Sequence, residues 1–237
     1  MEITIQVAKE VQDLLPNMEI ESQEIIKNNG VAVQAVLRYI VNYEKARKLL
    51  SLRLINKKMN AGRLMDTPYK NFLDMAVVAV MIFPSNGDVT LSSTVNKQLL
   101  DIWKVSFDDV YEDASANFMG EKTVIKDMCK ILSEIEFYGF PWKTDVPMYV
   151  LTNESGVNGA THLLKSDVLG KFAADRKTDI LVLPSSVHEA ILVPYQNDLD
   201  IEEISQIVQV VNREEVSIED ILSDHAYLYR LSGGWAD

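Results

Sequence analysis

Apolar positions along this 237-residue chain fall into two patterns, unbroken runs and runs at helical spacing. The unbroken runs are the more informative, because four to eight consecutive Ile, Val and Leu residues bounded by Pro suit buried strands. Residues 179–194, DILVLPSSVHEAILVP, read as a buried strand, a Pro-Ser-Ser corner and a second strand. Residues 72–83, FLDMAVVAVMIF, followed by Pro-Ser-Asn-Gly-Asp and a second short run over 89–94, predict another strand, turn and strand.

Around these runs the helical spacing fills in the remaining elements. Val7, Val11, Leu14 and Leu15 lie on one face of a first helix that Pro16 ends. Alternation through Met18, Ile20, Val31, Val33 and Val36, with Asn29-Gly30 as a tight turn, predicts a hairpin over 18–40. Residues 43–64, rich in Lys, Arg, Leu and Met, read as one helix, closed off by Pro68 and Tyr69–Phe72. Its cations Lys45, Arg47, Lys48, Arg53, Lys57 and Lys58 would form a solvated face or dock an acidic partner.

Helices follow over 95–103 and 106–117. Ser106 with Asp109 three residues on gives the second a capping-box start. A further helix is expected over 123–137, with Ile125, Met128, Cys129, Leu132 and Ile135 on one face. Cys129, the single cysteine, reads there as a small buried hydrophobe. Tyr138-Gly-Phe-Pro-Trp142 marks a boundary between an N-terminal half, 1–140, and a C-terminal half, 141–237. The C-terminal half continues with a strand over 147–153, a turn over 156–159 and a helix over 160–173 that buries Leu163, Leu164, Val168 and Leu169. After the strands of 179–194 come a helix over 201–211, another starting near Ser217 with Asp220 three residues on, a closing strand over 227–230 and a tail.

Residues 72–117 and 179–225 share this order of strand, turn, strand, helix, loop and helix, and VSFDDV at 105–110 matches VSIEDI at 216–221. The expected fold is therefore α+β, with two related strand-strand-helix-helix units behind an N-terminal helix and β-hairpin.

Charge then narrows the function. With 35 acidic and 23 basic side chains the formal net charge is −12, which argues against nucleic acid or an anionic membrane as a partner. No run of about 18 apolar residues occurs, and the N-terminus has neither the basic start nor the apolar core of a secretory signal, so a cytoplasmic location is expected.

Candidate chemistry gathers late in the chain. All three histidines, His162, His188 and His225, lie in the C-terminal half, and carboxylates adjoin two of them as His188-Glu189 and Asp224-His225. A divalent metal takes such ligands, but no HExxH spacing is present, and neighbours on one strand point to opposite faces. Ser185 and Ser186 precede His188 without the Gly-x-Ser-x-Gly setting of a nucleophile, and suit a turn instead. The candidate binding residues are thus Ser185, Ser186, His188, Glu189, Asp224 and His225, with no catalytic set, metal or cofactor assigned.

Several segments together resemble a known family. LINKKMNAGRLMDTPYKNFLDMAVV, LLDIWKVSFDDVYEDASANF, PMYVLTNESGVNGATHLL, LVLPSSVHEAILVP and VNREEVSIEDILSDHAYLY are similar to the family catalogued as domain of unknown function 5688. The resemblance spans about Lys27 to Arg230, with a more distant similarity to YtpQ-like bacterial proteins. It implies a bacterial protein of Gram-positive cells and their mobile elements, and implies no activity. The expected function is a non-catalytic protein-binding or regulatory factor, including an acidic inhibitor that offers carboxylates in place of phosphates. A protein partner is expected, with a homodimer as a further arrangement. The alternative is a metal-assisted hydrolase built on His188, Glu189, Asp224 and His225.

Overall fold

The structure is a computed structural model that describes residues 18–19, 41–83, 91–134, 146–184, 186–195 and 200–236. The chain divides into two compact units, Met1–Arg53 with Lys57–Gly120, and Leu54–Asn56 with Glu121–Asp237.

In chain order the first unit contains β1 (Met18–Glu19), α1 (Tyr43–Ala46), a 3-10 turn (Arg47–Leu49), β2 (Leu50–Asn56, whose last three residues count with the second unit) and α2 (Ala61–Leu64). β3 (Tyr69–Phe72), β4 (Met75–Phe83), β5 (Leu91–Thr94), α3 (Lys97–Trp103) and α4 (Phe107–Met119) follow. The sheet has the order β1-β5-β4-β2, and β3 also pairs with β4. β3 takes residues 75–78 of β4 and β5 takes residues 80–83, both antiparallel. Every residue of β4 except Ile82 is buried, so the apolar run reads as a strand covered on both faces. Each buried Val, Met and Phe among them contributes about 1.5–3 kcal/mol by leaving water.

The helix expected over 43–64 is not one helix. Leu50, Leu52 and Leu54 alternate along β2, and Ser51 and Arg53 between them are buried too. Burial continuous from Leu50 to Ile55, as on a strand covered on both faces, overrides the helix-favouring composition. Arg53, expected on a solvated face, is buried and donates to Ser92 Oγ at 2.8 Å, while Arg63 donates to Thr94 Oγ1. Tyr69–Phe72, expected as a helix-closing segment, is a strand turned into β4 through Leu73, whose φ is 53°. The capping box at Ser106 and Asp109 is present, with both reciprocal bonds made. These hydrogen bonds, chiefly from the Ser106 hydroxyl, hold the Asp109 carboxyl below its usual value.

Helix α4 also fixes the turn that leads into β2. Asp113 accepts from the Tyr43 hydroxyl at 2.6 Å and from Arg47 Nη2 at 2.6 Å. Asn117 Nδ2 donates to the carbonyls of Arg47 and Leu50 at 2.8 Å. Burial pushes the Tyr43 phenol up, helped by its bond to Asp113. At Asp113 burial works to raise the carboxyl, yet the bonds from Tyr43 and Arg47 outweigh it and hold the carboxyl below its usual value.

The second unit contains β6 (Thr123–Asp127), α5 (Met128–Glu134), β7 (Tyr149–Asn153), a 3-10 segment (Gly159–Leu164) and α6 (Ser166–Arg176). β8 (Ile180–Leu183), β9 (Ala190–Pro194), α7 (Ile201–Glu215), a 3-10 turn (Ile218–Asp220) and β10 (Tyr227–Tyr229) complete it. Its sheet is antiparallel throughout, in the order β10-β8-β9-β7-β6. The strands expected over 179–194 pair as read, from Ile180 opposite Pro194 to Leu183 opposite Ile191. The closing strand at Tyr227–Tyr229 pairs with β8.

Three helix expectations change here. The β-branched residues Thr123, Val124 and Ile125 pair with β7, so the helix expected over 123–137 begins only at Met128. Cys129 is half-buried rather than sealed in a core. The helix expected over 160–173 starts as the 3-10 segment and becomes α-helical at Ser166; Leu163 and Leu169 are buried, while Leu164 and Val168 are only partly so. Near Ser217 there is only a 3-10 turn, because Ser217 caps nothing and the chain turns extended at Ile221. Residues 72–117 and 179–225 therefore share strand, strand and helix and part at the last element. The architecture is α+β, helices with antiparallel sheets. The expected first helix, all of the first hairpin but Met18–Glu19, the turn after Phe83 and the Tyr138–Trp142 connection lie outside the described residues.

Asp113→Asn is expected to cost about 1–2 kcal/mol at neutral pH, because one hydrogen-bonding charge is lost. The folded carboxyl is held below the ordinary value of 3.8, so its contribution is complete above that value and disappears as pH falls through the lower folded one. Thermal unfolding of both proteins across acid pH should show the gap closing in that window.

Candidate functional site

The bend between β8 and β9 places His188 against two other segments of the second unit. Its Nδ1 accepts the backbone N–H of Asn158 at 3.2 Å, and its Nε2 lies 3.3 Å from Asp220 Oδ1. With Nδ1 accepting, the imidazole carries its proton on Nε2, beside the carboxylate. Backbone bonds close the same junction. Val187 N–H donates to Asp220 O at 2.8 Å, Ala160 N–H to Val187 O at 3.2 Å, and the Thr152 hydroxyl to His188 O at 2.9 Å. Gly159 lies so deep in it that a Cβ there would come within 2.1 Å of Thr152 Oγ1 and 2.6 Å of His188 O.

The chemistry available to this junction follows from those bonds. A general base needs a ring nitrogen with a lone pair turned toward a substrate. His188 spends Nδ1 on a backbone amide and Nε2 on Asp220. Ser186 Oγ accepts the backbone N–H of His188 at 3.0 Å, the geometry of a local turn rather than of a nucleophile facing a base. Glu189, which precedes β9, holds the bend through its carbonyl, which accepts from Ser186 N–H at 3.2 Å. Ser185 lies outside the described residues.

Asp224 and His225 serve other contacts. The Asp224 carboxylate accepts from Asn212 Nδ2 at 2.9 Å, and the exposed His225 ring stands 6.4 Å from that of Tyr227. Among the described residues no group of three or more His, Cys, Asp and Glu side chains is placed to hold a metal ion. The set His188, Glu189, Asp224 and His225 is therefore not assembled as the hydrolase reading requires. The acid beside His188 is Asp220, which sequence reasoning placed only in a helix cap.

The third histidine, His162, is fully buried. Its Nδ1 lies 2.7 Å from Thr123 Oγ1 and its Nε2 3.5 Å from Glu121 Oε2. The buried ammonium of Lys165 donates to Glu121 O, and burial lowers that ammonium's pKa. Thr161 Oγ1 accepts the backbone N–H of Leu54 at 3.1 Å. Thr123, Glu121 and Lys165 thus surround the buried ring.

The feature that sequence reasoning missed is on α7. Asp200 caps the helix by accepting from the N–H groups of Glu202 and Glu203. Ile201 and Ile204 pack on Leu181, Val193 and Ala226. Two buried polar side chains fix the rotation of the helix about its axis. Ser205 Oγ accepts the N–H of Ala226 at 3.0 Å, and Asn212 Nδ2 donates to Ser223 O at 2.9 Å. With that arc turned inward, Ile207, Val210 and Val211 face out, exposed by 56%, 48% and 46%. Their spacing of three and four makes one stripe, and Glu203 and Glu214 fall at its two ends. The signal in the sequence was an excess of apolar residues over what one buried face requires.

Gly159→Ala is expected to destabilise the protein by about 2 kcal/mol or more, since part of the clash is with backbone that cannot move aside. Asn212→Ala should cost about 1–3 kcal/mol by leaving Ser223 O unsatisfied in the interior. Denaturant unfolding of the two variants measures both losses, and values near zero would mean that neither site is packed as described.

Among the described residues no helix is long and apolar enough to cross a membrane. No curated protein and no solved structure matches the chain. The model of a family of unknown function, DUF5688, matches residues 33–231, which takes in every element from β2 to β10. The chain belongs to the DUF5688 family.

Proposed function

We propose that this protein is a non-catalytic protein-binding or regulatory factor whose contact surface is the outer face of α7. The observation that carries the reading is the stripe Ile207, Val210 and Val211, three branched apolar side chains exposed side by side on a helix already anchored by its opposite arc. Single exposed apolar residues are ordinary, whereas a contiguous helical stripe is a recurring form of peptide and protein recognition. Ile218, in the turn just after α7, is exposed as well.

Two further features support a protein-binding role. The polar groups of the His188 junction are engaged with one another. The apolar centre of the α7 face also favours a protein partner over mimicry of a polyanion, which would present carboxylates without that centre.

The double variant Ile207→Glu/Val210→Glu tests the reading. Both positions are exposed, so folding should change by no more than about 1 kcal/mol, read as a shift of a few degrees in Tm. A partner that co-purifies with the wild-type chain from its own cells should be lost from the variant. Retention of that partner, or a wild-type chain that emerges alone at every salt concentration, would defeat the reading.

A further inference from the structure

We infer that the element seated on α7 is an amphipathic helix of another protein carrying two basic side chains about eleven residues apart; this rests on the protein-binding reading of the same face. The apolar centre is short. Ile207, Val210 and Val211 cover little more than one turn, and Glu203 and Glu214 stand on the same side of the helix beyond either end of it. Eleven residues at 1.5 Å of rise place the two carboxylates about 16 Å apart along the axis. A partner helix laid along α7 meets the apolar centre with residues at three and four spacing and reaches both carboxylates with Lys or Arg at the matching interval.

Charge decides between this occupant and a second copy of the chain. In an antiparallel pair of α7 helices Glu203 of one copy faces Glu214 of the other, and in a parallel pair each glutamate faces itself. Either arrangement sets like charges at both ends of a small apolar contact, where juxtaposed like charges cost several kcal/mol. The one cation in α7, Arg213, lies about 100° round the helix from Glu214 and does not relieve this. A basic helix meets the same two positions with attraction. The formal charge of −12 on the whole chain favours the approach of such a partner.

Photo-crosslinking in the cells that contain the protein tests the inference on the full chain. A benzoylphenylalanine probe replaces Val211, and the crosslinked peptide is sequenced by mass spectrometry. The expected product is a segment of another protein with apolar residues at three and four spacing and a Lys or Arg pair about eleven positions apart. Adding Glu203→Lys and Glu214→Lys should lower the yield of that product by about tenfold or more, with the melting temperature unchanged. A crosslinked segment without the basic pair, or a yield indifferent to the charge reversal, would overturn the inference and leave the protein-binding reading standing. A crosslink only to this chain itself would overturn it in favour of self-association or an internal cover. No product at this position would sink both.

Discussion

A buried polar group must keep its partner, and on α7 this constraint sets which side of the helix meets water. Ser205 and Asn212 satisfy Ala226 N–H and Ser223 O from the inner arc of the helix. Turning the helix to bury Ile207, Val210 and Val211 would strand both groups, at about 1–3 kcal/mol each, and would lift Ile201 and Ile204 off Leu181 and Val193. The apolar gain from the outer stripe, about 1.5–3 kcal/mol for each side chain, cannot be collected within the unit without those losses. It remains available to another molecule.

The His188 junction obeys the same rule with a different outcome. It joins the bend before β9 to the loop before the 3-10 segment and to the turn after α7, using both ring nitrogens and six backbone groups. A histidine beside an aspartate invites a catalytic reading. The placement of Asn158 N–H on Nδ1 removes the lone pair that such a reading needs. Scaffold and chemistry compete for the same nitrogens, and the scaffold holds Nδ1.

What the sequence disclosed follows from the range of each signal. β4, β8 and β9 are long apolar runs and were legible as strands; the Ser106 and Asp109 cap was legible because it is local. β2 was not, because Lys, Arg and Leu favour a helix while the burial that makes 50–56 a strand comes from residues far along the chain. At 123–127 three β-branched residues carried the strand signal, and the helical spacing that follows them masked it. His188 was picked out, but its acid was not, since Asp220 reaches it through a turn 32 residues away that has no periodic signature. Helix α7 starts where the sequence places it but runs to Glu215, past the expected end at Val211, and its second apolar arc is distinguishable only once the buried arc is fixed.

The central claim is that the outer stripe of α7 is open on the isolated chain and covered in the cell. Hydroxyl-radical footprinting of Ile207, Val210 and Val211 measures this directly, once on the purified protein and once on the protein labelled inside its own cells. The account predicts strong modification of all three on the isolated chain and clear protection in the cell, with exposed residues elsewhere, such as Met65, labelled alike in both. Equal labelling of the stripe in the two settings would contradict it.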